Sequence, residues 1–312
     1  MSSNNPMEYN FSVLKENIIN TILVTDVSKK IKSVKGSTIC VGSGGSRVVA
    51  DFASVVLNIK NNCSVKVMEP RDVLYENLEC YKNIFMCSYS GNNYGVDVLS
   101  SLKVKKYLFT YGDVDKNGYK RLKCNSDAQK EKSFISLGAT MMPMSVLLSY
   151  SFKRDIYQLI EKMYDDVNKM EFNVKNPNLP FDIITGNDTS TCDVYLESTF
   201  IESGLGSVVR HSKYDFCHGR STLAYTQKRN LIYLIGDRKE LDDLLLKDLK
   251  NRYNDIIVLE SNYKNVILNN YYLTLSALFF TKYLAELKGI DLSIVNYDKE
   301  LCKKLYTYKG EM

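Results

Sequence analysis

Histidine and closely spaced cysteine pairs, on which many metal and redox sites are built, are scarce in this sequence. There are only two histidines in 312 residues, which argues against an imidazole-based metal site. Eight cysteines are present, but no two have the C-x-x-C spacing of zinc or redox motifs. Several cysteines fall in apolar strand or helix patterns, so we interpret them as core residues in a reducing cytoplasm. We expect neither a metal nor a cofactor.

Long apolar runs and dense basic blocks are also missing. The most apolar long stretch, residues 271–285, is interrupted by three hydroxyl side chains, which favours a buried helix over a membrane span. The first eleven residues lack the basic-then-apolar pattern of a signal peptide. The net charge is +5, and residues 103–106 form the one basic cluster, so nucleic acid is not the expected partner. An anionic small molecule fits the mild positive charge equally well.

Length and composition indicate a globular protein of two domains. The chain has 312 residues, of which 45% are apolar and 25% charged. Residues 176–180 carry two of the five prolines and are the clearest linker. We therefore place the domains at residues 1–172 and 173–312.

The most informative pattern is a strand that runs through a glycine-rich turn into a helix, and it occurs twice. Ile39–Val41 is followed by Gly42–Ser46 and a helical pattern, and Asn83–Met86 is followed by Cys87–Asn93 and a second helical pattern. Backbone N–H groups in such turns, together with the positive end of the helix, bind oxyanions. The alternative is that the turns only connect strand and helix.

Alternating strands and helices predict an α/β fold with parallel sheets between layers of helices. In the first half, we predict helices at 8–35, 133–148 and 156–170, a further strand at 65–68, another at 107–110, and a polar loop at 112–127. The second half repeats the alternation, with strands at 181–184, 207–209, 230–235 and 255–259 and helices at 192–203, 241–250 and 271–287. It lacks a convincing phosphate loop, because Thr185–Asp188 has one glycine and Ile235–Asp237 replaces the serine-rich turn.

The two turns of the first half resemble those of the sugar isomerase (SIS) domain. The second half then resembles the second SIS domain of the isomerase portion of glucosamine-6-phosphate synthase, of its deaminase relatives and of fructosamine deglycases. The resemblance implies two three-layer α/β/α domains. It also implies that the substrate phosphate is held by residues of both turns: Gly42, Ser43, Gly44, Ser46, Ser88, Ser90, Gly91 and Asn93.

Three positions in the second half resemble the family's catalytic residues. Glu202 stands sixteen residues before His218, and the segment around His218 resembles the family's Lys-His-Gly turn. The tail at 288–291 and 300–303 is similar to the family's Lys-Gly-x-Asp and Asn-Leu-x-Lys, which implies that Lys303 is the Schiff-base lysine. Lys304 and Lys309 compete with it for this role.

The chemistry of these residue types fits aldose–ketose interconversion. A partly desolvated carboxylate such as Glu202 can move a proton between C1 and C2, and His218 can assist ring opening near neutral pH. The alternatives are a solvated helix face for Glu202 and a hydrogen-bonded core histidine for His218. His211 has no motif around it and is interpreted as structural. Arg220 follows the His-Gly pair, and its guanidinium suits a carboxylate on the substrate.

We therefore predict a cytoplasmic enzyme that acts on a phosphorylated sugar or aminosugar, as an isomerase, a deaminase or a deglycase. No glutaminase half with an N-terminal cysteine nucleophile is recognised, so glutamine-dependent synthesis is not expected. By resemblance, we expect a homodimer with active sites shared between subunits, and no membrane or nucleic-acid partner. The alternative is a non-catalytic phosphosugar sensor, since the same fold serves that role elsewhere.

Overall fold

The chain folds into two compact units. The computed structural model describes residues 6–126, 131, 134–152, 155–294, 298, 300–302 and 304. The first unit comprises Glu16–Ser151 and the chain from Ser293 onward, and the second comprises Phe152–Leu292 and the chain up to Lys15. The predicted domain boundary between residues 172 and 173 stays a prediction.

The first unit is built around a five-stranded parallel sheet. Its strands are β1 (Thr38–Val41), β2 (Val65–Met68), β3 (Asn83–Cys87), β4 (Lys105–Thr110) and β5 (Tyr119–Lys123). Its helices are α1 (Pro6–Val24, shared with the second unit), α2 (Ser28–Lys32), α3 (Gly45–Asn61), α4 (Tyr94–Ser100) and α5 (Gly138–Ser151), and two 3₁₀ turns lie at Asp72–Tyr75 and Leu78–Cys80. The strand order is β2-β1-β3-β4-β5.

The second unit is built around a four-stranded parallel sheet. Its strands are β6 (Phe181–Thr185), β7 (Val208–Ser212), β8 (Asn230–Ile235) and β9 (Ile256–Glu260). Its helices are α6 (Ile156–Asn168), α7 (Ser190–Ser203), the single turn α8 (Lys213–Asp215), α9 (Thr222–Thr226), α10 (Glu240–Leu249) and α11 (Val266–Lys288). The strand order is β7-β6-β8-β9.

The central strands are apolar because both faces of each sheet are covered. Every residue of β1, β3, β6 and β8 is buried, as expected for parallel sheets packed between helices. In each unit the chain runs from the first strand to a neighbour on one side and then crosses to the other side. This shared order confirms the predicted α/β class and the repeated architecture.

Most predicted strands are confirmed, and two local predictions are wrong. The predicted helix at 8–35 is interrupted after Val24, where the Thr25 hydroxyl donates to the Asn125 carbonyl (2.9 Å) and accepts from the Asn125 N–H (2.8 Å). This pairing with the chain beyond β5 stabilises the break. The predicted loop at 112–127 contains the strand β5. Because β5 lies at the edge of the sheet, it tolerates a mostly charged sequence, and that sequence lacks the apolar pattern of a buried strand.

Helix α5 begins at Gly138, five residues later than predicted, and the predicted first residue, Ser133, lies outside the described residues. Pro143 lies inside this helix. Among the residues that the structure describes, no helix combines the length and apolar character needed to cross a bilayer.

Candidate functional site

The two glycine-rich turns of the first unit lie side by side at one edge of the sheet. Val41 and Met86 are register partners in neighbouring parallel strands, so Gly42 and Ser88 follow strand ends that point the same way. The chain proceeds from β1 to β2 on one side and places β3 on the other. Ligands of open α/β sheets bind at such a switch in strand order, outside the carboxyl ends of the strands.

The first turn presents backbone donors at the start of a long helix. Gly44 precedes α3 with φ of 54°, a value that favours glycine, and α3 runs for 17 residues. Within the described residues, the N–H groups of Ser43, Gly44 and Gly45 donate no hydrogen bond. A side chain at Gly42 would overlap the Ser46 carbonyl oxygen. The turn therefore places unused backbone donors at the positive end of a helix dipole, an arrangement that favours anions in general.

An acidic residue lies beside this turn. The Ser43 hydroxyl donates to Glu69 Oε2 (2.8 Å), and Arg47 Nη1 lies 3.4 Å from Glu69 Oε1. Because the Ser43 proton is directed at Glu69, an anion here would meet the Ser43 backbone N–H as a donor rather than its hydroxyl. Sequence reasoning did not identify Glu69, which follows β2 at the same sheet edge.

The second turn leaves side-chain donors available. Ser88 Oγ accepts from the Gly91 N–H (3.1 Å), Ser90 Oγ accepts from the Asn92 N–H (3.3 Å), and Asn93 Oδ1 caps α4 by accepting from the Val96 N–H (3.1 Å). The hydroxyl protons of Ser88 and Ser90 and the side-chain NH₂ group of Asn93 take no part in these three hydrogen bonds. The Gly91 N–H is used within the turn, so Gly91 contributes its positive φ of 66° rather than the donor predicted from the sequence.

A further acid lies at the start of α5. The Glu131 carboxylate accepts from the N–H groups of Leu137 (2.6 Å), Gly138 (3.1 Å) and Ala139 (3.2 Å). Burial raises the pKa of Glu131, and the three backbone donors oppose that rise. Glu131 thus satisfies the orphan donors of this helix, and no sequence signal had indicated it.

Glu202 and His218, the predicted acid–base pair, lie in the second unit. Glu202 is exposed in the last turn of α7 and accepts from the Ser198 hydroxyl (2.6 Å). His218 is exposed in the irregular turn after α8, where Gly219 has φ of 93°. Within the described residues, no hydrogen bond joins the two side chains. A second acid of α7, Glu197, is ion-paired with Arg210 at 2.7 Å.

Arg220 is held by a buried histidine. Its Nε donates to His211 Nδ1 (3.1 Å), which requires the imidazole to be neutral at Nδ1. His211 Nε2 makes no well-aligned hydrogen bond but lies 3.4 Å from Asp182 Oδ1. His211 is thus a buried residue that fixes the orientation of Arg220, a role that its sequence context did not indicate.

Asp182 is the centre of this buried network. Its Oδ1 accepts from Arg229 Nε (2.8 Å) and its Oδ2 from the Tyr253 hydroxyl (2.7 Å). Burial alone would raise the pKa of Asp182, but the interactions with His211, Arg229 and Tyr253 outweigh it and lower the pKa. The carboxylate therefore stays ionised beneath the Arg220 turn.

The corresponding turns of the second unit are joined by an internal carboxylate. Asp188, in the turn after β6, accepts through Oδ2 from the Asp237 N–H in the turn after β8 (2.9 Å). A side chain at Gly236 would overlap that same carboxylate. The Thr189 hydroxyl accepts from the Gly186 N–H (3.0 Å). Asp188 thus joins the two turns through a carboxylate that belongs to the chain itself.

No protein-family model and no curated protein sequence matches the chain. Solved structures do match it over nearly its whole length. Glucosamine-6-phosphate deaminase from Thermotoga maritima aligns with a TM-score of 0.74 at 15% identity, covering 95% of this chain and 99% of that chain. Tagatose-6-phosphate ketose/aldose isomerase from Escherichia coli aligns with a TM-score of 0.68 at 12% identity, covering 95% and 98%.

The C-terminal domain of glucosamine-fructose-6-phosphate aminotransferase from Francisella tularensis gives a TM-score of 0.68 at 13% identity, covering 93% of this chain and 98% of that chain. The chain has the double-SIS fold. The motif resemblance of the two turns and the structural similarity thus agree on the fold.

Not all of the residues predicted for the site can be placed. Lys303 and Lys309 lie outside the described residues, and Lys304 is exposed. The described residues contain no group of three or more His, Cys, Asp or Glu side chains arranged to hold a metal ion.

Proposed function

We propose that the chain is an enzyme that processes a phosphorylated ketose or aminosugar by isomerisation, deamination or deglycation. The observation that carries the proposal is the pair of turns at the β1–β3 strand ends, with unused N–H groups in one and free hydroxyl protons in the other. A phosphate monoester takes several donors at once, and this arrangement offers them from two sides. We assign the phosphate to Gly42–Ser46 and Ser88–Asn93.

Glu202 is our candidate for the base that moves the proton between C1 and C2, and His218 for ring opening. Lys303 is the proposed imine-forming lysine if the reaction is deamination or deglycation. Arg220 has its Nε fixed by His211, and its Nη2 lies 3.4 Å from the Arg210 carbonyl oxygen. We propose that the remaining face of this guanidinium contacts a carboxylate on the substrate.

A homodimer is part of the proposal. Glu202 and His218 are both exposed, whereas a catalytic base works better when partly desolvated. A second copy that covers these side chains would supply that desolvation. Sedimentation of the purified chain tests this part: a monomer over the working concentration range would contradict it.

The activity test is proton exchange in D₂O. Fructose 6-phosphate, glucosamine 6-phosphate and a fructosamine 6-phosphate adduct are incubated with wild type, Glu202→Gln and the matched control Glu197→Gln. We expect exchange at C1 or C2, or release of amine, that falls by 10²-fold or more in Glu202→Gln alone. Loss in Glu197→Gln with retention in Glu202→Gln would move the base to Glu197.

The alternative function is a phosphosugar sensor, which the exposure of Glu202 and the absence of a bond to His218 favour. Thermal unfolding with the same three compounds separates the two functions. Stabilisation of the protein without any exchange would support the sensor. The stabilisation should be smaller in the Ser88→Ala/Ser90→Ala variant than in wild type under either function, so an unchanged stabilisation would contradict the assigned phosphate site.

A further inference from the structure

A polar groove lies in the second unit. It has a volume of about 500 Å³ and is lined by residues 224–228 and 251–254. These two segments precede the amino ends of β8 and β9, respectively, whereas the Asp188 turn lies at the carboxyl end of β6. We call it the Arg252 groove. Its volume is in the range of small-molecule sites.

Arg252 is held in place, yet its charge is unpaired. Its guanidinium carbon lies 4.0 Å from the centroid of the Tyr225 ring, and its Nε donates to the Asp248 carbonyl (3.0 Å). Within the described residues, it forms no ion pair. The two Nη groups therefore remain for a ligand, in an orientation that the stacked ring and the Nε bond determine.

The neighbouring side chains add donors rather than acids. Lys228 is exposed and has no ion-pair or hydrogen-bond partner among the described residues. Gln227 accepts through Oε1 from Arg229 Nη1 (3.3 Å), and its side-chain NH₂ group remains available as a donor. None of the nine lining residues is acidic. The groove thus offers an ammonium, a guanidinium fork and an amide donor together.

Two buried acids near the groove, Asp255 and Asp182, are already satisfied, and the exposed Asp248 carboxylate forms no ion pair with Arg252 in the structure. Asp255 Oδ2 accepts from the N–H groups of Lys175 (2.9 Å) and Asn176 (3.2 Å) and from Asn254 Nδ2 (2.8 Å). Asp182 is neutralised by Arg229, 2.7 Å away. Neither carboxylate is therefore available to pair with Arg252 or Lys228.

A second groove of the same unit provides an internal contrast. It has a volume of about 470 Å³ and contains Arg238 and Lys239. There Arg238 contacts Glu260 (2.5 Å) and Asp243 (2.6 Å), and Lys239 pairs with Asp237. The arginine of this groove is thus paired with two acids, whereas Arg252 forms no ion pair within the part of the chain that the structure describes.

We propose that the Arg252 groove binds a phosphate monoester, with Arg252 as a bidentate ligand and Lys228 and Gln227 as further donors. A phosphate dianion matches the fork of the guanidinium and the two unpaired positive charges. This site is separate from the turns of the first unit, and the proposal does not depend on the proposed enzymatic function.

The test uses the full chain carrying Ser88→Ala/Ser90→Ala, so that binding at the first-unit turns does not contribute. Inorganic phosphate, a sugar phosphate and a phosphoserine tripeptide are titrated by calorimetry and by ³¹P line broadening. We expect saturable binding that weakens at least 10-fold in Arg252→Gln and changes less than 2-fold in the matched control Arg238→Gln. Equal weakening in both variants, or no saturable binding, would overturn the proposal.

Two further comparisons sharpen the result. Tyr225→Phe keeps the stacked ring and should retain the binding, whereas Tyr225→Ala releases the guanidinium and should weaken binding several-fold. If Tyr225→Ala bound as well as Tyr225→Phe, the pre-orientation of Arg252 would be wrong. Stronger binding of the sugar phosphate than of the tripeptide would identify a small metabolite as the ligand, and the reverse would identify a phosphorylated protein segment.

Discussion

The two units place different chemistry on the same framework. In both sheets the first four strands of the unit are arranged in the order second, first, third, fourth. The third strand of each unit begins with a buried asparagine, Asn83 or Asn230. Its side-chain amide donates to a carbonyl of the chain that precedes the first strand, that of Lys35 or Asn176, respectively. At the carboxyl edge, the first unit presents free donors, while the second closes its turns with Asp188. The fold therefore repeats without repeating its ligand chemistry.

The amino edge of the sheets differs as well. Ile39 and Asp182 are the second residues of β1 and β6 and hold equivalent register positions, yet one is part of an apolar cluster and the other centres an ionic network. A single position of the framework can thus be filled by hydrophobic packing or by a satisfied charge. The second unit depends on electrostatics where the first depends on apolar burial.

The largest effect is expected from Asp182→Asn. It leaves the buried Arg229 without its counter-charge, which should reduce the free energy of unfolding by about 3–5 kcal/mol. Ile39→Val at the equivalent position should cost only about 0.5–1.5 kcal/mol. Urea unfolding measures both. Similar losses in the two variants would contradict the proposed difference between the ionic network at Asp182 and the apolar packing at Ile39.

The pH dependence of the Asp182 effect has a defined sign. Because the folded protein lowers the pKa of Asp182, its stabilisation is complete above the ordinary aspartate pKa of about 3.9 and is lost as pH falls through the lower folded value. The stability difference between wild type and Asp182→Asn should therefore shrink below about pH 4. A difference that grows in acid would contradict this.

Gly42→Ala should have the next largest effect. The added Cβ would overlap the Ser46 backbone carbonyl, which cannot rotate away, and such overpacking costs about 1–3 kcal/mol. Gly236→Ala meets the Asp188 side chain, which can move, so its cost should be smaller. Only Gly42→Ala should also reduce the stabilisation by sugar phosphates. Thermal unfolding with and without the ligand distinguishes the two variants.

A smaller effect is expected from Asp188→Ala. Removing the carboxylate leaves the Asp237 N–H unsatisfied and should cost about 1 kcal/mol. Sulfate should restore part of this loss, because it can occupy the place of the carboxylate. The comparison is made in the Ser88→Ala/Ser90→Ala background, which removes the first-unit site, and there the protein with Asp188 should gain less stability from sulfate than the protein with Asp188→Ala. Equal gains in stability with and without Asp188 would contradict the interpretation of Asp188 as an internal anion.

The smallest effect is expected from Glu131→Gln, within about 1 kcal/mol at neutral pH, since a charge at a helix start contributes little more. Its pH dependence is opposite to that of Asp182. Because burial raises the pKa of Glu131, the stability it confers falls as pH rises above about 4.3. The advantage of wild type over Glu131→Gln should thus increase on acidification from pH 7 to pH 4. A decrease would contradict the assigned direction.

The sequence was sufficient to predict the fold class and the two phosphate-type turns, because strand, glycine turn and helix follow one another locally. It could not predict β5, whose Tyr119–Lys123 sequence gains its order from pairing with β4. It could not predict Asp182, His211 and Arg220 as one network, because the sequence between them carries no sign of which side chains meet. Long-range side-chain contacts depend on packing that local patterns do not encode.

The same limit applies to the candidate catalytic residues. Spacing alone suggested Glu202 and His218, but it could not show that both side chains are exposed or that Glu197 is paired with Arg210. Glu69 and Glu131 escaped notice because a single acid after a strand or before a helix has no distinctive pattern. The contact of Glu69 with Ser43 and that of Glu131 with the start of α5 emerge only from the folded chain.

The carboxylate of Asp188 also changes how stability depends on solution composition. Because Asp188 is tethered to the chain, its local concentration at the Asp237 N–H is fixed and does not vary with metabolite levels. The first unit instead would gain about 2.7 kcal/mol when a ligand that binds only the folded state reaches 100 times its Kd. Metabolite supply would then set how strongly the first-unit turns resist unfolding, whereas the contact that Asp188 makes between the second-unit turns would not depend on that supply.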